Sequence, residues 1–191
     1  FGTKTNNDIE ATGYIKLSDL QYTTNQLYNY NNRNALGGFL RYNNISDILS
    51  RKNLFSVGID YNAASGNVDS YNNVSGIKGD KLQSQNEEYI YNEGIYLQNQ
   101  YFVYRDKASV FLSVRYDNID ITNNNQLFSF QNSTRRFSRY TPRFALNYKF
   151  TPTIAVYSSF GYSYDTPTAS ELQNYPYTSN GGATTLNPDL N

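Results

Sequence analysis

A chain of 191 residues with 16 basic and 16 acidic side chains carries no net charge, which removes the simplest electrostatic case for nucleic-acid binding. It contains no Cys, His, Met or Trp. The usual zinc ligands, disulfides and Ser-His or Cys-His nucleophile pairs are therefore excluded. Mean hydropathy is −0.68, with no apolar run of the roughly 18 residues that a membrane helix needs. Yet 20 Tyr and 11 Phe make the chain rich in aromatic rings, and Tyr suits a membrane interface because its ring is apolar and its tip polar.

Taken in chain order, the pattern is one of period-two alternation, the mark of half-apolar strands. Ala11, Ile15 and Leu17 oppose Glu10, Lys16 and Ser18. Leu36, Leu40 and Tyr42 oppose Gly37, Arg41 and Asn43. Phe55, Val57, Ile59 and Tyr61 oppose Ser56, Gly58, Asp60 and Asn62. Ile95, Leu97, Tyr101 and Val103 oppose Gly94, Gln98 and Gln100. The clearest run sets Ala108, Val110, Leu112, Val114 and Tyr116 against Ser109, Phe111, Ser113, Arg115 and Asp117. Tyr140, Pro142, Phe144, Leu146, Tyr148 and Phe150 then oppose Thr141, Arg143, Ala145, Asn147 and Lys149. Ile154, Val156, Phe160, Tyr162 and Tyr164 oppose Thr153, Ser159, Gly161, Ser163 and Asp165 in the last run.

These runs predict about seven antiparallel strands, all-β, many reaching the roughly 9–11 residues of a tilted membrane strand. Short connections are expected at Ser46–Arg51, Arg105–Lys107 and Thr151–Pro152, and long polar loops at Thr24–Asn34, Ala63–Glu88, Thr122–Ser138 and Thr166–Asn191. Short periplasmic turns alternating with long outer loops point to a transmembrane β-barrel. A soluble β-sandwich with Tyr-rich loops is the rival reading, and it requires the apolar faces to bury against each other. Seven strands would leave two open edges, which lipid does not tolerate. Residues 1–191 are thus expected to form part of a larger barrel, with further strands lying outside this chain.

The last third carries a family likeness. Tyr140-Thr-Pro-Arg-Phe-Ala-Leu-Asn-Tyr-Lys-Phe-Thr-Pro-Thr-Ile-Ala-Val-Tyr-Ser-Ser-Phe160, then Asp165-Thr-Pro-Thr-Ala-Ser-Glu-Leu172, then Leu186-Asn-Pro-Asp-Leu190, resembles the late barrel strands of TonB-dependent receptors. Ser113-Val-Arg-Tyr-Asp117 resembles a recurring strand end of that family, and Tyr96-Leu-Gln-Asn-Gln100 also fits one of its strands. The Asn- and Tyr-rich style resembles Bacteroidetes sequences. The resemblance implies a bacterial outer-membrane barrel of about 22 strands with a plugged lumen. It also implies a partner complex acting through TonB on a plug domain, and uptake of a scarce ligand, first among them a ferric siderophore. A passive porin-like or structural barrel is the alternative within the membrane class.

The residues themselves suggest where a ligand would be met. Arg135 and Arg136, beside Phe128, Phe130 and Phe137, and Tyr71, Tyr89, Tyr175 and Tyr177 are expected in or next to outer loops. There Arg and aromatic rings can hold an anionic aromatic chelate by charge and stacking. Arg41, Arg115 and Arg143, with Lys149, fall on the expected lumen face. They read either as an electropositive path or as partners of Asp60, Asp117 and Asp165. Thr168-Ala-Ser-Glu171 fits a capping box that shapes a loop. No catalytic arrangement, metal site or cofactor is expected: Glu87 and Glu88 are adjacent in a polar stretch, and the spacing of Asp117 and Asp120 fits no calcium loop.

Overall fold

The computed structural model describes residues 6–172 and 186–187. Seven strands form one antiparallel sheet in chain order, each hydrogen-bonded to the next. They are β1 (Asn6–Thr23), β2 (Leu27–Ile48), β3 (Arg51–Val74), β4 (Ile77–Tyr104), β5 (Ala108–Asn125), β6 (Ser133–Lys149) and β7 (Ala155–Gly161). A single turn of helix, α1 (Ala169–Leu172), follows.

Residues facing each other across an antiparallel pair share one side of the sheet, so the register assigns every side chain. Ala11, Leu40, Ile59, Ile95, Tyr116 and Tyr140 form one continuous row, and Ile9, Tyr42, Val57, Leu97, Val114 and Pro142 the row beside it. These belong to the apolar face expected from alternation. They are left open: Ile15 is 74% exposed, Ile59 52% and Phe160 66%. A contiguous apolar surface of this size is an aggregation hazard in water and is satisfied in lipid. Because no second sheet is present among the described residues, the sandwich reading, which needs these faces covered, is not the architecture found. Tyr rings edge the band; those of Tyr116 and Tyr140 pack 4.7 Å apart, and the Tyr101 hydroxyl donates to the Ile48 carbonyl. Beyond the seven strands, β1 and β7 each present an edge, and in a bilayer both edges need further strands.

The turns on one side are short, as expected. Leu49 and Ser50 both have positive φ (49° and 59°), the backbone of a two-residue hairpin whose twist matches its strands. The opposite side departs from expectation. The segments 24–34, 63–88 and 122–138, expected as long loops, are mostly strand. β3 and β4 continue to a tight turn at Ser75 (φ 53°) and Gly76 (φ 90°), where the Gly76 N–H donates to Asn73 Oδ1. β4 has 28 residues, about 90 Å of extended chain, against the roughly 9–11 residues a membrane crossing uses. The sheet therefore rises far above the bilayer. There both faces meet water, side chains are polar on both, and alternation vanishes while the backbone ladder persists. Side-chain pairs reinforce it: Ser70 donates to Asn29 Oδ1 at 2.6 Å and Asn32 to Asp19 Oδ1 at 2.5 Å.

Buried apolar residues are few. Ile121, Phe137, Leu172 and Leu186 make one small cluster, with Ile90, Ile119 and Tyr164 packed against it. Register places Ile90, Ile119, Ile121 and Phe137 on the inner face at its outer end. Leu172 and Leu186 come from the segment after β7, so that segment folds back against the inside of the wall.

Candidate functional site

The inner face is polar, and its charges are organised around glycines. Asp60, Gly94 and Asp117 lie side by side on β3, β4 and β5, with Arg115 one row below. The Arg115 guanidinium lies over Gly94 and bonds both Asp60 oxygens, at 2.7 and 2.8 Å. Its Nε reaches Asp117 at 2.8 Å. A Cβ on Gly94 would sit 2.0 Å from Arg115 Nη2, so only glycine leaves room. The device repeats higher up. Arg33, Gly66 and Glu88 share a row across β2, β3 and β4, and Arg33 passes over Gly66 to pair with Glu88. Arg41 pairs with Glu10 on β1. Tyr14 covers Gly37 and Tyr96 covers Gly58 in the same way, since a Cβ on either glycine would come within 2.5 Å of the ring.

Above the Arg115 bridge, and around the Arg33–Glu88 one, the inner wall of β2, β3 and β4 is lined by amides and hydroxyls. Asn29, Asn31 and Arg33 on β2, Asn62, Val68 and Ser70 on β3, and Ser84, Asn86, Glu88 and Asn92 on β4 surround a cleft of about 640 Å³. Tyr22 stands at one side and Ile90, Ile119 and Ile121 at the other. Thr166, Pro167 and Thr168 form part of its border, brought there by the fold-back of the segment after β7. That segment is held at three points. Leu172 and Leu186 enter the apolar cluster. The Leu186 N–H donates to Ser133 Oγ at 2.9 Å, and the Asn187 N–H to the Leu172 carbonyl at 2.7 Å. The expected capping box is present: the Thr168 N–H donates to Glu171 Oε2 at 2.8 Å, and the Glu171 N–H to Thr168 Oγ1 at 3.3 Å. The Thr168 N–H and the Thr168 hydroxyl, which also donates to Glu171 Oε2 at 2.8 Å, favour the charged carboxylate and hold Glu171 below the usual range.

The residues singled out from the sequence do not converge. Arg135 and Arg136 lie on β6, not in a loop, and adjacent strand residues point to opposite sides. Arg136 faces outward and pairs with Asp120 at 2.6 Å, while Arg135 faces inward with its guanidinium 5.5 Å from the Phe137 ring centre. Tyr71 on β3 faces outward near the tip of its hairpin, where the Lys78 ammonium stands 3.7 Å from its ring centre. Tyr89 on β4 also faces outward, and a hydrogen bond to Glu87 raises its hydroxyl pKa. Tyr175 and Tyr177 lie outside the described residues. Phe128 and Phe130 do fall in a connection, the seven-residue link between β5 and β6.

The lumen residues behave differently. Arg41, Arg115 and Arg143 do share the inner face and border a second, smaller hollow of about 280 Å³. Arg115 takes the expected partners Asp60 and Asp117. Arg41 takes Glu10, a partner sequence reading did not name. Arg143 has no ion pair among the described residues. The cleft's own residues were missed because an Asn or Ser is unremarkable in a polar stretch. The interior glycines Gly66 and Gly94 were the available signal, since glycine within a strand marks close approach of another group.

The model of the TonB dependent receptor-like β-barrel family matches residues 2–191. No sequence among the curated proteins matches the chain. Among solved structures, the chain is similar to the crystal structure of the ferric citrate transporter FecA in its unliganded form, with a TM-score of 0.67 and 15% identity. The match covers 81% of this chain and 24% of that one, so the chain spans about a quarter of the length of that structure. At that identity the likeness speaks for the fold. Taken with the outward apolar band, the family match places this sheet in the wall of a bacterial outer-membrane barrel, and the chain belongs to the TonB-dependent receptor β-barrel family.

Proposed function

We propose that the protein to which this wall belongs is an active receptor, capturing a scarce ligand outside the cell and releasing it inward when TonB pulls on a plug domain. An iron chelate is the first cargo to test. The observation that carries this reading is the 640 Å³ polar cleft on the inner wall, above the membrane band and bordered by the folded-back segment at Thr166–Thr168. A passive pore needs a clear bore, whereas a receptor needs a concave wall with convergent hydrogen-bonding groups facing the entry path. Lipid holds the outer face, and the inner arginines Arg41, Arg115 and Arg143 stand where a plug would touch the wall. The chemistry is capture and release, so no bond-making residue is assigned.

The test is uptake by cells carrying the intact protein. Accumulation of a radiolabelled ferric chelate that stops when the TonB system is deleted, or when the proton gradient is collapsed, supports an energised receptor. Accumulation that ignores both treatments supports the passive barrel instead.

A further inference from the structure

We infer that the cleft on the inner wall is built for an electrically neutral ligand rich in hydroxyl and amide groups, and that it selects against anions. This inference rests on the receptor reading and names the chemistry of the same site.

The lining contains one cation and one anion, Arg33 and Glu88, and they are paired with each other across Gly66. The cleft therefore offers no uncompensated charge. The remaining inner-face cations lie outside the lining: Lys16 on β1, opposite Ala35 and in one row with Ile90, and Lys52 and Lys149 beside the short turns. Arg41, Arg115 and Arg143 stand lower on the wall, and Arg135 and Arg139 lie on β6, beyond the apolar cluster of Ile121, Phe137, Leu172 and Leu186 that bounds the cleft on that side. What the cleft presents instead is amide: Asn29, Asn31, Asn62, Asn86 and Asn92.

A primary amide both donates and accepts, as does a sugar or polyol hydroxyl, so such groups satisfy one another. A carboxylate or catecholate oxygen only accepts. Entering this cleft it would lose its hydration and meet as many acceptors as donors, with no unpaired cation among the described residues of the lining to offset the loss. Spare capacity is present too. The side-chain oxygens Asn31 Oδ1, Asn86 Oδ1 and Asn92 Oδ1, sheltered from solvent, have no hydrogen-bond partner among the described residues, so the spare capacity is for donors, which a hydroxyl or amide supplies and a carboxylate or catecholate does not. Oxygens left in that state gain when the O–H or N–H groups of a ligand pair with them. Two sources share this chemistry: a neutral oligosaccharide and a neutral ferric trihydroxamate.

The experiment is calorimetric titration of the intact receptor in detergent with three probes: a neutral maltooligosaccharide, a neutral ferric trihydroxamate and anionic ferric citrate. Binding of either neutral probe, weakened about tenfold by Asn86→Leu or Asn92→Leu, is the expected result, tenfold corresponding to one lost hydrogen bond. Which neutral probe binds decides the source. Glu88→Gln, which leaves Arg33 uncompensated, is expected to raise affinity for ferric citrate relative to the neutral probe. Stronger binding of ferric citrate by the unaltered receptor, binding of none of the three, or a Glu88→Gln variant with unchanged preference overturns the inference. TonB-dependent uptake of ferric citrate would sink the neutral-ligand inference and leave the receptor reading standing. A neutral probe that binds but enters without energy does the reverse.

Discussion

Replacing Gly94 by alanine tests the arginine-over-glycine device directly. The new Cβ would fall 2.0 Å from Arg115 Nη2, 2.7 Å from its Cζ and 2.9 Å from Asp60 Oδ1. The guanidinium must shift off the glycine, which disrupts four charge-assisted contacts with Asp60 and Asp117. Both Arg115 and Asp60 side chains are 32% exposed, so water screens part of the loss. Buried charge-assisted bonds contribute about 1.5–3 kcal/mol each and exposed ion pairs under about 1 kcal/mol, so a bidentate network at this depth is expected to contribute about 2–3 kcal/mol in all. Urea unfolding of the intact barrel in lipid vesicles, followed by the shift in gel mobility between folded and unfolded forms, reads this loss. Arg115→Gln is expected to cost a similar amount, and the double variant no more than either alone, because both changes remove one set of contacts. Additive losses, or a Gly94→Ala barrel as stable as the parent, would refute the reasoning.

Other positions are expected to respond according to the face they occupy. Ile59→Arg, in the middle of the lipid-facing band, should destabilise the barrel by about 2–4 kcal/mol in the same assay, while Gln98→Arg on the inner face should be nearly neutral. Leu172→Ala removes a fully buried side chain from the small apolar cluster and is expected to cost about 2–5 kcal/mol of local stability. Its readout is faster hydrogen exchange at Leu186 and Asn187, with β1 to β4 unaffected. The capping box should weaken in acid. Glu171 has its carboxyl pKa depressed in the fold, so its contribution is complete above the ordinary carboxylate range and is lost as pH falls through the depressed value. The protection of the Thr168 and Glu171 amides, taken as the exchange rate relative to that of an unstructured amide at the same pH, is expected to fall on acidification in the parent and to be insensitive to pH in Glu171→Gln.

Much of the wall was legible in the sequence because the bilayer writes a period-two code. Where one face of a strand meets lipid, the residues must alternate, and Ala108 to Asp117 or Tyr140 to Phe150 could be assigned face by face. The register agrees with those assignments from Ala108 to Asp117 and from Tyr140 to Lys149. Residues 63–88 show the limit. Above the membrane neither face needs to be apolar, so β3 and β4 run on without any alternation to reveal them. The Ser75-Gly76 pair was the remaining clue, a turn signal in the middle of an apparent loop.

The candidate site was the least legible part. Arg135 and Arg136 are neighbours in sequence and face opposite sides in the sheet, while Arg33 and Glu88 are 55 residues apart and touch. By itself, then, the sequence determined the half-apolar strands, which residues share a face, and where the short turns fall, because those properties reside in local alternation, which a membrane wall and a sandwich have in common. Only the tertiary structure decided how far the strands rise, which arginines cancel which carboxylates, and that five asparagines from three strands converge on one cleft. Those outcomes depend on register, which sets neighbours across strands and leaves no trace in the spacing of residues along one.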